Sequence, residues 1–353
     1  MKKIVLTGGG TAGHVVPHIA MLKALKKAGY EAHYIGSHRG IEKGLIEPCN
    51  IPYYGISAGK LRRYFDLKNA SDLLRVVRGL GDALAVLRRI KPAVVFSKGG
   101  FVTVPVVLAA SMLRIPVLLH ESDITPGLAN RLAMPFARAV CCNFPETLKY
   151  IAGKAVLTGT PIRPELWEGR RGNGLKLCRF TDLRPILLFM GGSQGAAAVN
   201  RCVFAILPQL LQHFNVIHLC GKGNCLEPPR PGYAPFEYVT EELPHLLAAA
   251  DIVIARAGAN TLAELLALGK PSLLIPLPLS SSRGDQILNA ASFQKRGYSM
   301  VLKEEEMTEK SLYDSIQSLY YDRGEYVKRM TARQKDKADG ISLVMEVIER
   351  WTM

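Results

Sequence analysis

The chain has little that would hold a metal. Its seven cysteines are odd in number and stand at no ligand spacing: Cys141 and Cys142 are adjacent and the rest are scattered. That pattern reads as reduced and mostly buried thiols, not as a disulfide framework or a zinc site. No Asp-x-Asp pair occurs, so a divalent cation gripping a diphosphate has no support and neither metal nor cofactor is expected. No long unbroken apolar run is present either. The stretch 101–119 is interrupted by Pro105, Arg114 and Pro116, which makes it a helix followed by a strand and not a membrane span. Met1-Lys2-Lys3 runs straight into a strand and a glycine turn, without the pattern of a signal peptide. Acidic residues are scarce in the first half. Residues 1–163 hold 23 Lys and Arg against 9 Asp and Glu, whereas the whole chain of 353 residues holds 45 against 30. The excess of positive charge is therefore confined to one half, and it points to an anionic surface or substrate. Nucleic acid is not expected, because no recognised binding motif accompanies the charge.

What is present is an alternation of apolar strand-like runs and helical patterns, twice over. The first series is 4–6, 32–35, 93–96, 116–119, 140–142 and 156–158; the second is 186–189, 215–219, 236–239, 252–255, 272–275 and 299–301. Such alternation predicts parallel sheets with crossover helices. The expected fold is α/β, with two Rossmann-like domains facing each other across a cleft. The domains are expected at 1–160 and 161–340, with 341–353 a terminal helix packing back on the first. Residues 169–184 read as a loop, and about 323–351 as charged and helical.

Each half opens on a glycine-rich turn. The first is Thr7-Gly8-Gly9-Gly10-Thr11-Ala12-Gly13-His14, the second Met190-Gly191-Gly192-Ser193-Gln194-Gly195-Ala196. A strand feeding a helix through such a turn aims backbone N–H groups at an anion, or else needs glycine only for its dihedrals. The second strand, Tyr34-Ile35-Gly36-Ser37, ends without the acid that a dinucleotide ribose requires, which disfavours nicotinamide and flavin. His14 is expected in the first turn of the following helix, where the positive dipole end keeps imidazole neutral, as a general base or as a structural histidine.

In the second half, Arg256-Ala257-Gly258-Ala259-Asn260-Thr261-Leu262-Ala263-Glu264 is a strand meeting a helix. The amides at Asn260 and Thr261 can hold a diphosphate. Glu264, one turn on, either accepts both ribose hydroxyls or merely complements the helix dipole. Asp285 and Gln286 open another helix, as sugar ligands or as its cap. His120-Glu121-Ser122-Asp123 follows a strand at its carboxyl end, where parallel sheets place ligands. Residues 57–90 combine a basic loop with a helix. Leu73, Val76, Val77, Leu80, Leu84 and Leu87 read as its sheet-facing stripe. Tyr64 and Phe65, with Arg62, Arg63 and Lys68, read as a peripheral membrane attachment.

These segments, with Lys98-Gly99-Gly100-Phe101-Val102, Gly159-Thr160-Pro161-Ile162-Arg163 and Asp285-Gln286-Ile287-Leu288-Asn289-Ala290, stand in an order that resembles the MurG-type glycosyltransferases over nearly the whole length. The resemblance implies a GT-B fold and transfer of N-acetylglucosamine from UDP-GlcNAc to the 4-hydroxyl of MurNAc in lipid I. Inversion at the anomeric carbon gives lipid II for peptidoglycan, and with it a part in cell shape and division. It implies nucleotide contacts at Ser193, Ala259, Asn260, Thr261 and Glu264, Arg163 near the same pocket, and Asp285 and Gln286 near the GlcNAc ring. Thr11, Ala12, Gly13 and His14 would face the reacting centre, with Asp123 among the substrate contacts and Glu121 as the second candidate base. Asp123 and Asp285 replace amides that many members carry. The implied partners are UDP-GlcNAc, lipid I, an anionic membrane surface and other cell-wall synthesis proteins, at the cytoplasmic face of the bacterial membrane. A UDP-GlcNAc 2-epimerase-like enzyme and a non-catalytic nucleotide-sugar-binding protein are the alternative readings.

Overall fold

The computed structural model describes residues 1–59, 68–151, 153–191, 197–334 and 339–352. It divides into two units, residues 1–163 with 338–353, and residues 164–337.

The first unit holds seven strands: β1 (Lys2–Thr7), β2 (Tyr30–Ser37), β3 (Tyr53–Ile56), β4 (Val94–Ser97), β5 (Val117–Glu121), β6 (Ala139–Cys142) and β7 (Ala155–Leu157). Its α-helices are α1 (Val16–Lys27), α2 (Ile41–Ile46), α3 (Lys68–Ile90), α4 (Thr103–Met112) and α5 (Leu128–Ala133). All seven strands are parallel, in the order β3-β2-β1-β4-β5-β6-β7. Ile4, Val5 and Leu6 of β1 are each wholly buried, because helices cover both faces of the sheet at these positions. The order of strands reverses between β1 and β4, and this junction places the site.

The second unit holds β8 (Ile186–Met190), β9 (Asn215–Leu219), β10 (Tyr233–Phe236), β11 (Ile252–Ala255), β12 (Ser272–Leu274) and β13 (Ser299–Val301), parallel in the order β10-β9-β8-β11-β12-β13. Its helices are α6 (Arg171–Cys178), α7 (Ala197–Leu210), α8 (Leu243–Ala249), α9 (Ala259–Ala267), α10 (Asp285–Lys295) and α11 (Glu309–Gln334). The reversal here lies between β8 and β11.

Several sequence expectations change. β3 carries no apolar alternation and escapes the pattern because it is an edge strand, only partly buried. β10 lies three residues before the expected run, and Pro235 is tolerated there because this too is an edge. The stretch read as a loop forms α6. Gly174, a poor helix former, is there for clearance: a Cβ on it would lie 2.3 Å from the carbonyl oxygen of His245 at α8. On α3, Ala83 and Leu87 are buried and Leu80 and Leu84 pack beside them, but Val77 is 60% exposed and leaves the stripe.

The charged carboxy-terminal segment is divided between the end of α11 and a further helix. The second, α12 (Gly340–Arg350), lies in the first unit. Its Val344, Met345, Val347 and Ile348 are buried in one cluster with Ile4, Leu6, Met21 and Leu25. Asp339 caps it by accepting from the Ser342 amide at 2.9 Å. Gly340 starts it because a Cβ there would lie 2.5 Å from the Thr160 carbonyl oxygen.

Candidate active site

At the carboxyl end of β1 the chain turns through Gly8, Gly9 and Gly10, and the last takes φ +87°. The Gly9 amide donates to the Gly99 carbonyl at 3.3 Å. The Gly10 amide donates to Glu42 Oε2 at 3.3 Å. Glu42 Oε1 accepts from the Ser37 amide at 2.9 Å and from its hydroxyl at 2.6 Å. Glu42 is wholly buried. The expectation that this turn aims unengaged amides at a ligand phosphate is therefore corrected at Gly9 and Gly10, since a neighbouring carbonyl and a carboxylate of the protein itself hold them.

Thr11, Ala12, Gly13 and His14 follow, with Thr11 and Gly13 exposed. They form a 3₁₀ turn at Ala12–His14, and α1 begins only at Val16. His14 thus precedes the helix instead of sitting in its first turn. Its Nδ1 lies 2.9 Å from the Lys98 carbonyl oxygen. A carbonyl only accepts, so Nδ1 carries the hydrogen, and whenever the ring is neutral its lone pair is on Nε2.

β5 ends in His120 and Glu121. The Glu121 carboxylate is 5% exposed. It accepts from the Asp123 amide at 3.1 Å, the Gly127 amide at 3.0 Å and Asn130 Nδ2 at 2.8 Å. Burial pushes its pKa up, against these hydrogen bonds. Such a carboxylate holds the loop between β5 and α5. Asp123 stands half-buried in that loop, its carbonyl accepting from Thr147 Oγ1 at 3.2 Å.

In the second unit, β11 leads through Arg256 and Ala257 to Gly258, the N-cap of α9, which has extended backbone. Arg256 Nη1 donates to the Ile275 carbonyl at 3.1 Å, and its guanidinium pairs with Glu304. It struts the sheet edge. Leu262, Ala263 and Leu265 bury one side of α9 together with Ala259, while Asn260, Thr261 and Glu264 stay half-buried at its start and along the other side. Asn289 Nδ2 of α10 donates to the Ala257 carbonyl at 3.4 Å and so fastens α10 to the turn before α9. Asp285 pairs with Arg283 at 2.6 Å, and Gln286 Oε1 accepts from the Leu277 amide at 3.1 Å. The structure thus groups Ala259, Asn260, Thr261 and Glu264 on one helix, and ties to it the helix that carries Asp285 and Gln286. Ser193 lies outside the described residues, as do Arg62, Arg63, Tyr64 and Phe65 and the side chain of Lys68. Arg163 is the last residue of the first unit's amino-terminal part. Glu42, Asn130 and Asn289 were not singled out by sequence, since their partners lie 32, 9 and 32 positions away. Lys98 appeared only as part of a glycine motif.

Two parallel-sheet Rossmann-like units in one chain, each with a reversal of strand order within its sheet, are the GT-B architecture of glycosyltransferases. Residues 4–142 match the glycosyltransferase family 28 N-terminal domain and residues 186–344 its C-terminal domain. A relative from Lachnospira eligens is 58% identical over 99% of both chains; its name is UDP-N-acetylglucosamine--N-acetylmuramyl-(pentapeptide) pyrophosphoryl-undecaprenol N-acetylglucosamine transferase. One of the same name from Clostridium botulinum is 57% identical over 100% of both. The crystal structure of Acinetobacter baumannii MurG superposes with a TM-score of 0.76 at 24% identity, over 99% of this chain and 100% of that one. The chain belongs to glycosyltransferase family 28, among its MurG-type members.

Glu121→Gln turns one oxygen into a donor that faces an N–H group. Unfolding in denaturant is expected to show a loss of about 1–3 kcal/mol, the cost of an unsatisfied buried polar group. Unchanged stability would show that this carboxylate does not hold the loop.

Proposed function

We propose that the protein transfers N-acetylglucosamine from UDP-GlcNAc to the 4-hydroxyl of MurNAc in lipid I, with inversion, to give lipid II. The observation that carries this is the full-length likeness, at 57–58% identity, to transferases named for that reaction. The acceptor oxygen forms a bond to the anomeric carbon as the bond from that carbon to the UDP oxygen breaks, and the acceptor proton goes to a base. His14 Nε2 is assigned that proton, because the Lys98 carbonyl fixes the opposite nitrogen as the donor. Glu121, whose carboxylate already accepts hydrogen bonds from Asp123, Gly127 and Asn130, is given the loop-holding role. The start of α9 at Ala259, Asn260 and Thr261 takes the charge that develops on the leaving diphosphate. Glu264 accepts the ribose hydroxyls, and Ser193 and Arg163 complete the nucleotide contacts. Asp285 and Gln286 serve the GlcNAc ring, while Thr11, Ala12, Gly13 and Asp123 line the acceptor side. The direct test is transfer of radiolabelled GlcNAc to a lipid I analogue. A new UDP-sugar formed without acceptor would point to an epimerase instead.

His14→Ala is expected to lower kcat by roughly 10²–10⁴-fold, the scale of a lost general base, with UDP affinity unchanged. Equal turnover in the two proteins rules the role out. Glu264→Ala is expected to act on donor binding. Calorimetry should show UDP affinity reduced by about tenfold, as for a lost charge-assisted hydrogen bond; an unchanged value contradicts the ribose contact.

The finer reading of location is peripheral attachment to the cytoplasmic face of the bacterial membrane, through Arg62, Arg63, Tyr64, Phe65 and Lys68. Among the described residues no helix is long and apolar enough to cross a membrane. Val77 of α3 supports attachment on this side, because it is exposed between Arg75 and Arg78, themselves exposed. Charge reversal at Arg62, Arg63 and Lys68 is expected to abolish sedimentation with anionic vesicles, at about 1 kcal/mol per residue. Transfer to a short-chain acceptor should continue. Undiminished sedimentation would place the docking face elsewhere.

A further inference from the structure

Lys98 follows β4 at the carboxyl end of the first sheet, beside the turn that carries His14. Its side chain is 1% exposed. Its Nζ donates to His120 Nδ1 at 2.8 Å and to Ser122 Oγ at 2.7 Å. The direction of the first bond is fixed by the far side of the ring: His120 Nε2 lies 2.9 Å from the Gly159 carbonyl oxygen, which only accepts, so Nδ1 bears the lone pair. Two histidines are thus set by this one residue, His14 through its carbonyl oxygen and His120 through its ammonium group. No carboxylate hydrogen bond to the ammonium group is found among the described residues. A buried cation held by neutral partners is costly, and an apolar side chain of the same length would fold more cheaply. A cost of that kind at the switch point of a parallel sheet marks function.

We propose that Lys98 is a positioning residue of the transfer reaction, with its carbonyl presenting His14 in its proton-accepting form and its ammonium group fixing His120 and Ser122 at the head of the loop that carries Asp123. This rests on the transferase reading given above. Ionisable groups face Lys98 from three sides: His14 and His18 from the segment entering α1, His120, Glu121 and Asp123 from β5 and its loop, and Cys141 from β6. Burial draws the lysine down to about 7, against the pull of Glu121, Asp123 and Cys141. His18 and His120 are pushed down by burial first and by the Lys98 charge second. His18 makes no hydrogen bond through either ring nitrogen and packs edge-on to Tyr34 and Phe96, both at 5.6 Å. Lys98 thus stands beside two histidines, His18 and His120, that burial disfavours as cations. Its charge-assisted bonds weaken when the proton leaves, so the working form is the protonated one.

The test is Lys98→Met in the full chain. The variant is expected to lose roughly 10–100-fold in kcat, as when a residue that orients a reacting group is removed, with UDP affinity unchanged. Its thermal midpoint should be equal to or above that of the parent, because a buried charge has been replaced by an apolar chain of similar volume. The gap has a sign with pH. The folded-state value of about 7 lies below the ordinary 10.5, so the unfolded chain binds this proton more tightly. Lys98 therefore costs the fold most below pH 7, and the midpoint gap should close as pH rises from about 7 to 10.5. A purely structural lysine predicts the opposite, a lower midpoint and kcat unchanged per folded molecule. The parent should also show an alkaline limb in kcat that is absent from Lys98→Met. Ser122→Ala keeps the lysine but removes one of its acceptors, so that limb should move to lower pH; this variant decides the matter if Lys98→Met does not fold. NMR titration of the lysine side chains reads the proton directly and needs no substrate. A Lys98 midpoint near 10.5, or a Ser122→Ala pH profile identical to the parent's, overturns the proposal. If the parent transfers no GlcNAc at all, the transferase reading fails, while the titration still reports on Lys98.

Discussion

The amino-terminal site depends on a contact between two stretches of bare backbone. Gly100 leaves β4 with φ +93° and lies so close to Gly9 that a Cβ on it would stand 2.2 Å from the Gly9 carbonyl oxygen. Gly8 is equally closed, since a Cβ there would meet the His14 carbonyl oxygen at 2.5 Å. No side chain fits at either place, so the turns after β1 and β4 can nest against each other. That nesting brings the Lys98 carbonyl to His14 and the Gly99 carbonyl to the Gly9 amide. The proton arrangement of the site thus follows from two glycines on different strands, at the place where the order of strands reverses.

The two units share a topology and use it differently. In the first, the amides of Gly9 and Gly10 are held by Gly99 and by the buried Glu42, so the turn is rigid before any ligand arrives. An internal carboxylate does there what a phosphate does in a nucleotide-binding turn. In the second unit the N-cap of α9 is a glycine with no side-chain cap, and Arg256, the nearest cation in sequence, is taken by Glu304 and the Ile275 carbonyl. The start of α9 is therefore built from backbone amides and a half-buried polar side, with no side-chain cap and no carboxylate strut of the kind that Glu42 supplies. This division agrees with the charge of the chain, whose positive excess lies almost wholly in the first half. Diphosphate recognition by helix amides needs no such excess, whereas an anionic lipid acceptor draws on it.

Much of the fold was legible because parallel strands buried on both faces read as short apolar runs, and β1, β9, β11 and β13 fell where those runs lie. Edge strands lack that burial, which is why β3 was missed and β10 displaced. α6 was hidden by its glycines, which serve its approach to α8 and depress helix propensity. The residues of the α9 segment were legible because they are consecutive and their helix start is local. Lys98, Glu42 and Asn130 were not, because each acts through a partner far along the chain, and a lysine beside two glycines carries no sign of its own burial. His14 was expected in the first turn of the helix and lies in the 3₁₀ turn before it, where a carbonyl 84 residues away, beyond any local reading, fixes its tautomer.

Two acids singled out in the sequence, Asp285 and Asp123, bear on the same electrostatics. Asp285 is matched by Arg283 at 2.6 Å, within its own turn. Asp123 lies near enough to Lys98 to hold the lysine's proton on. An amide at either position would need no cation, whereas an acid without one adds a net negative charge. Each acid therefore comes with a neighbouring positive charge that keeps the local field close to that of an amide. Asp123 and the buried lysine at 98 act on one another. The lysine is tolerable in the interior partly because Asp123 and Glu121 draw its proton back, and the charge of Asp123 is balanced in turn by the lysine.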